Sequence, residues 1–258
     1  MKLLTYILVY PLIWLLSVLP FRLLYIISDF FYLIIFHLIG YRKKVVLTNL
    51  TLAFPDKSSQ ELLKIRRKFY HHFIDVFMEM IKSFTISKQQ LDKRFKYTNL
   101  DFLNTLQKDG KSIIIVGSHY ANWEWLFGVS PFVGYKCYTA YTRVNNPYFN
   151  RKIIKSRSRF GLELKQTARI IAEIDANIKN NVQAMYGLLS DQSPQLKKTI
   201  YWGNFLGIKV PIHAGAEYLA KKHNLSLVYV GIKKIKRGYY ESTFDLITKE
   251  PNNHKDFE

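Results

Sequence analysis

Apolar residues run almost unbroken from Leu3 to Ile39, interrupted by Pro11, Pro20, Arg22, Asp29 and His37. The nineteen residues from Phe21 to Ile39 cover a ~30 Å hydrocarbon core at about 1.5 Å per helical residue. Arg22 sits near an end and can snorkel. Asp29 lies in the middle and would cost about 2.5–3.5 kcal/mol in a bare span. The pattern predicts a membrane-associating segment with two geometries: a full span, or two helices hinged at Pro20 and lying in one leaflet. No small-residue cleavage site follows, which argues against a removed signal peptide.

Beyond this segment the periodicity changes. Asp56-Lys57-Ser58-Ser59 offers helix caps with Glu61 close behind. Leu62, Ile65, Phe69, Phe73, Phe77 and Met80-Ile81 then recur at helical spacing, predicting an amphipathic helix of about twenty residues. A short helix over 100–106 and the Asp109-Gly110 turn lead into the apolar run Ile113-Ile114-Ile115-Val116, a buried strand. Further strands are predicted at 135–141, 182–189, 225–232 and 241–248, with helices over 147–160, 169–179 and 212–222. Pro147 suits the first turn of its helix. Alternating strands and helices predict a layered α/β domain with active residues at strand ends.

Charge adds a partner class. Thirty-eight Lys and Arg against 19 Asp and Glu give a formal charge of +19, concentrated at Arg42-Lys43-Lys44, 64–68, 151–159 and 233–237. Such a field favours nucleic acid, anionic lipid, phosphorylated substrates or an acidic carrier protein. The apolar amino-terminal stretch weighs against nucleic acid. It also puts Arg42-Lys43-Lys44 on the cytoplasmic face under the positive-inside bias. The lone cysteine, Cys137, excludes an internal disulfide and reads as a buried thiol.

The candidate chemistry sits in Gly117-Ser118-His119-Tyr120-Ala121-Asn122-Trp123-Glu124-Trp125, directly after the 113–116 strand. Five residues separate His119 from Glu124, about 500° of rotation in a continuous helix, which would put them on different faces. If His119 instead lies in a turn ahead of the helix, Glu124 can point back at the imidazole and orient it as a general base. The plain alternative is a strand-end histidine beside a solvated glutamate. Ser118 suggests a serine hydrolase, but Gly-Ser-His is not G-x-S-x-G. Arg157 and Arg159 read as a site or as a solvated helix face, Asp191 as a site or a turn residue, and Asn145-Asn146-Pro147 as a site or a helix start. The adjacent His71-His72 pair lacks metal-ligand spacing, and neither a metal nor a cofactor is expected.

The 117–125 segment resembles the H-x4-(D/E) signature of glycerolipid-type acyltransferases, in the form found in lipid A late acyltransferases. The segments 49–61, 141–161, 188–194 and 202–211 resemble further blocks of that family, in family order. The resemblance implies an α/β fold with a mixed central sheet flanked by helices, behind a membrane-associating helical segment at 1–40 and with the acyltransferase domain at 41–258. It implies catalysis by His119 and Glu124, with substrate binding by Arg157, Arg159, Asn146 and Asp191. The implied reaction moves an acyl chain from a thioester to a lipid A precursor at the cytoplasmic face of the inner membrane. Acyl carrier protein is the expected donor, with acyl-coenzyme A second. An aminolipid or lysophospholipid acceptor and a membrane-bound interaction protein with a silent site remain alternatives. The family's W-x-H-(R/K)-R-like ending has no counterpart after residue 250, so the expectation is a missing carboxy-terminal segment.

Overall fold

The computed structural model describes residues 1–257; Glu258, the end of the expected 41–258 domain, lies outside them. Helix α1 (Lys2–Val18) and α2 (Phe21–Tyr32) meet at Leu19-Pro20, where both residues are extended, with ψ 144° and 145°. A residue preceding proline is pushed out of the helical region, and proline supplies no N–H to continue the helix. A π-helical turn, Leu33–Ile39, extends α2. Phe21–Ile39 is long and apolar enough to cross a membrane. One side of it packs on the rest of the chain: Tyr25 and Ser28 donate to Glu79 and Asp75, and Asp29 pairs with Arg237 at 2.6 Å. The other side, with Leu23, Ile26 and Phe30, is exposed, as is most of α1.

Helix α3 (Lys43–Ala53) leads to α4 (Ser59–Lys82), which starts at a full capping box between Ser58 and Glu61. The buried face of α4 differs from the expected apolar stripe. Tyr70, Ile74, Asp75, Met78, Glu79 and Lys82 are buried, while Phe69 and Phe77 are exposed. The α4 polar groups are satisfied inside: Lys82 donates to Ser17 O and Leu19 O, closing the end of α1, and Asp75 binds Arg237. Buried charge is tolerated when it is paired in this way.

After α5 (Lys88–Arg94) the chain forms β1 (Phe95–Thr98), α6 (Leu100–Lys108), β2 (Ile113–Gly117) and β3 (Lys136–Tyr141). Then come α7 (Pro147–Arg157), β4 (Glu163–Gln166), α8 (Ile170–Lys179), β5 (Ala184–Leu189), a hairpin of β6 (Tyr201–Phe205) and β7 (Ile208–Ile212), α9 (Gly215–His223), β8 (Ser226–Lys236) and β9 (Tyr239–Thr248). The main sheet is seven-stranded in the order β1-β9-β8-β2-β5-β3-β4, and β6-β7 stand apart. Only the β8–β9 pair of the main sheet is antiparallel, so the sheet is mixed as expected. Strands β1 and β4 and the β6–β7 hairpin were not anticipated. Pro211 lies in β7, so the helix expected from 212 begins only at Gly215.

Central strand β2 is apolar on both sides because both faces of the sheet are covered. Ile113 and Ile115 join Met185, Val230 and Phe244 beneath α6. Ile114 joins Tyr138 and Tyr186 beneath α8 and α9. A third core, with Phe21, Leu24, Met78, Trp125 and Tyr240, ties α2 and α4 to the segment after β2.

Candidate active site

Parallel neighbours β2 and β5 deliver two side chains to the same end of the sheet. Gly117 pairs with Leu189, and Ser190 N donates to Gly117 O at 3.2 Å beyond the last rung. A Cβ on Gly117 would lie 2.7 Å from Val230 Cγ1 and 3.0 Å from its carbonyl, so only glycine lets β2 lie this close to β8. Two residues on, His119 N donates to Asp191 Oδ2 at 3.0 Å, and His119 Nδ1 lies 2.7 Å from Asp191 Oδ1. Burial works against the ionised Asp191 carboxyl, but the ring and main-chain hydrogen bonds from His119 hold it below the usual range. An ionised carboxylate only accepts, so in the neutral ring Nδ1 carries the proton and Nε2 has the lone pair. Trp123 packs edge-on against the imidazole at 4.8 Å.

Glu124 does not take the place expected of it. Its carboxylate receives Arg157 Nε and Nη2, each at 2.6 Å, and the Arg157 guanidinium lies 5.7 Å from the Trp123 ring. The local backbone explains the difference. Ala121 is at φ +52°, a left-handed residue that costs about 1 kcal/mol or more outside glycine. The following segment, Trp123–Gly128, is a 3-10 turn and not the expected α-helix, so five residues do not bring Glu124 back over His119. With Glu124 only 9% exposed, its charge needs a paired cation.

The turn between His119 and Glu124 is held from below by a group that sequence reasoning missed. Asn122, fully buried, donates to Glu79 Oε2 at 2.7 Å. Glu79 also accepts the hydroxyls of Tyr25 at 2.6 Å and Tyr240 at 2.8 Å. Trp125 Nε1 donates to Ser83 Oγ at 3.1 Å, a second tie to the end of α4. The signal available in the sequence was a glutamate inside an apolar helix, which the Phe69/Phe73/Phe77 stripe disguised as a solvated position.

Burial pushes the Glu79 carboxyl up to about 6, although its three hydrogen bonds favour the charged form. The folded chain thus keeps a proton that the unfolded chain has lost between about pH 4.5 and 6. The associated stability is full below pH 4.5 and is lost as pH rises through 6. At about 1.4 kcal/mol per pH unit this is on the order of 2 kcal/mol. In Glu79→Gln that component of the pH–stability curve is expected to vanish, measured by urea unfolding across pH 4–7. An unchanged slope in the variant would assign the pH dependence elsewhere.

His119, Trp123, Glu124 and Arg157 line one side of a cavity of about 640 Å³. Leu126, Phe127, Val129, Ile170, Ile171 and Leu188 supply apolar walls, and Ser190, Gln192 and His213 add polar groups. Three of the four expected substrate-binding residues, Asn146, Arg159 and Asp191, are not among its lining. Asn146 caps α7, accepting from Tyr148 N at 3.0 Å and donating to Lys2 O at 2.8 Å. Arg159 donates to Ser83 O at 2.9 Å, closing the carboxyl end of α4. Asp191, expected to bind substrate, instead binds His119. Buried Cys137 has its thiol pushed up to about 11 by burial, so it is not a nucleophile near neutrality. His72 faces Lys234 at 3.0 Å and His71 stacks on Tyr32; among the described residues no group of three His, Cys, Asp or Glu could hold a metal ion.

A family model described as bacterial lipid A biosynthesis acyltransferase matches residues 1–249 of the chain. No curated protein matches it.

Proposed function

This chain belongs to the bacterial lipid A biosynthesis acyltransferase family, and we propose that it acylates a hydroxyl or amine of a lipid A precursor with His119 as general base. Membership makes it an acyltransferase with an acyl donor and a lipid acceptor, and the family is membrane-associated in bacteria. The carrying observation is the His119–Asp191 pair at the edge of an apolar cavity. Asp191 fixes the tautomer, so Nε2 takes the acceptor's proton as its oxygen or nitrogen attacks the thioester carbonyl. The tetrahedral oxyanion collapses, the carbon–sulfur bond breaks, and the imidazolium returns the proton to the departing thiolate. Arg157 spends Nε and Nη2 on Glu124, which leaves Nη1 as a donor for the oxyanion. In this reading Glu124 is catalytic through Arg157, while Arg159 and Asn146 support the site by holding α4 and α7.

Ser118 has no part in this scheme. Ser118→Ala is expected to keep turnover within a few fold of the parent in an assay of acylated lipid. Trapping an acyl ester on Ser118 would replace direct transfer by a two-step route.

The reading extends to donor and location. Arg151 and Lys155 are exposed on α7, beside the helix end that carries Arg157, and suit a small acidic carrier protein. Exposed charges steer only within a Debye length of about 8 Å at physiological ionic strength. Turnover with acyl carrier protein is therefore expected to exceed that with acyl-coenzyme A at matched chain, and to fall as salt rises. Equal use of both donors, or no salt response, would contradict carrier recognition. Residues 1–40 act as the membrane-associating segment and 41–258 as the acyltransferase domain. The bonds from Tyr25, Ser28 and Asp29 into α4 and Arg237 support helices lying in one leaflet of the inner membrane, on its cytoplasmic face, with the Leu23–Ile26–Phe30 side toward lipid.

A further inference from the structure

The β6–β7 hairpin carries apolar side chains that neither the cores nor the cavity explain. Its two-residue turn is Leu206-Gly207, with φ +50° and +78°. A turn with both central residues left-handed strongly favours Asn-Gly or Asp-Gly, because Asn and Asp tolerate that conformation. Here a leucine occupies the strained position and is 53% exposed, beside Phe205 at 63% and Ile208 at 41%. Trp202 near the base of β6, and Ile200 and Leu196 just before it, are exposed as well. A hairpin that worked only in water would gain from asparagine at 206. Contiguous exposed apolar surface of this kind marks an interaction site.

The hairpin's place in the fold identifies its partner. It follows Asp191 in the chain, and its return strand leads to His213, which lines the cavity. Tyr201 at its base stacks on Phe257 at 4.6 Å. Five-residue strands reach about 17 Å from that base. The start of α1 lies at the same end of the sheet. It is held by Asn146 in the loop after β3, and Tyr6 stacks on Tyr148 at 5.4 Å. Because β2, β3 and β5 are parallel, His119, Asp191, the hairpin and the apolar face of α1 all leave one rim. Lys209 is exposed two residues past the turn, while exposed Trp202 and Lys197 lie at and just before the hairpin's base. An apolar tip with Lys209 beside it, above a base that carries Trp202 and Lys197, suits the interface of an anionic bilayer.

We propose that the tip of the β6–β7 hairpin inserts into an anionic lipid bilayer as a second membrane contact beside α1, setting the cavity mouth against the surface that holds the acceptor. The last clause rests on the acyltransferase reading; the insertion does not. The full chain with Leu206→Cys, labelled at that thiol with an environment-sensitive fluorophore, tests insertion directly. Unsubstituted protein, whose only thiol is buried, controls for background labelling. Vesicles of phosphatidylglycerol and phosphatidylethanolamine are expected to shift the emission to the blue, and lipids brominated on their acyl chains to quench it. Emission that stays water-like with vesicles, or that shifts only on raising protein concentration or adding acyl carrier protein, would overturn the proposal in favour of a second copy or the carrier. A Phe205→Ser, Leu206→Asn, Ile208→Ser triple variant keeps a favourable turn. Its KM for acceptor embedded in vesicles should rise tenfold or more, a factor that even partial loss of a buried leucine carries. Its turnover of detergent-dispersed acceptor should stay unchanged. An unchanged KM in vesicles would remove the hairpin from acceptor delivery. Because the fluorescence readout needs no turnover, failure of insertion and failure of the transfer reading are separately visible.

Discussion

His119→Ala is expected to lower kcat/KM for acyl transfer by about 10²–10⁴-fold, the range of a positioned general base, with the fold unchanged. The side chain projects from a turn and contacts Asp191 and the edge of Trp123, so its removal opens no core. Asp191→Ala should cost nearly as much, because the Nδ1 proton then loses its acceptor and the imidazole its tautomer. The two residues act as a unit, so the double variant should be no worse than the poorer single one. Steady-state rates on a common donor with circular dichroism on the same samples check this. Multiplicative losses would mean that Asp191 works independently of His119.

Arg157→Ala is expected to be the most destabilising single change at the site. It strands Glu124 as a buried, unpaired carboxylate, and breaking a buried pair typically costs about 3–5 kcal/mol. Arg157 retains 22% side-chain exposure, which places the loss toward the lower end of that range. Activity should fall with it, since Arg157 also packs over Trp123 beside the base. Arg157→Lys should recover only part of either property, because an ammonium cannot reproduce the two parallel bonds at 2.6 Å. Glu124→Ala combined with Arg157→Ala should be less destabilised than the two single losses added. Urea unfolding of the four proteins measures this coupling, and additive losses would show that the pair is not a unit.

The sequence carried the strand before His119, the cap of α4 and the mixed layered fold, because each rests on local spacing or on a run of apolar residues. It pointed to His119, Glu124, Asp191 and Arg157, which contact one another in pairs, but it aimed Glu124 at His119, where the fold pairs His119 with Asp191 and Glu124 with Arg157. His119 meets Asp191 across 72 positions and Glu124 meets Arg157 across 33. The first pairing follows from β2 and β5 lying side by side and the second from α7 ending against the turn after β2, and H-x4-E spacing carries no information about either. The same blindness hid Glu79. Period alone assigned the phenylalanines of α4 to the core, whereas the chain buries Asp75, Glu79 and Lys82 against α1, α2, the 119–124 turn and the β8–β9 hairpin. Asn146 and Arg159 were found by resemblance, and the fold gives them helix-end contacts.

Direct transfer, with no acyl group on the protein, is the claim on which the rest depends. The decisive measurement is mass spectrometry of lipid and intact protein from one reaction of acyl carrier protein thioester, lipid A precursor and enzyme, quenched during turnover. Wild-type protein should give acylated lipid and carry no acyl adduct at any time point, and folded His119→Ala should give neither. An acyl adduct that forms and decays at the rate of product appearance, or full turnover by folded His119→Ala, would contradict the account.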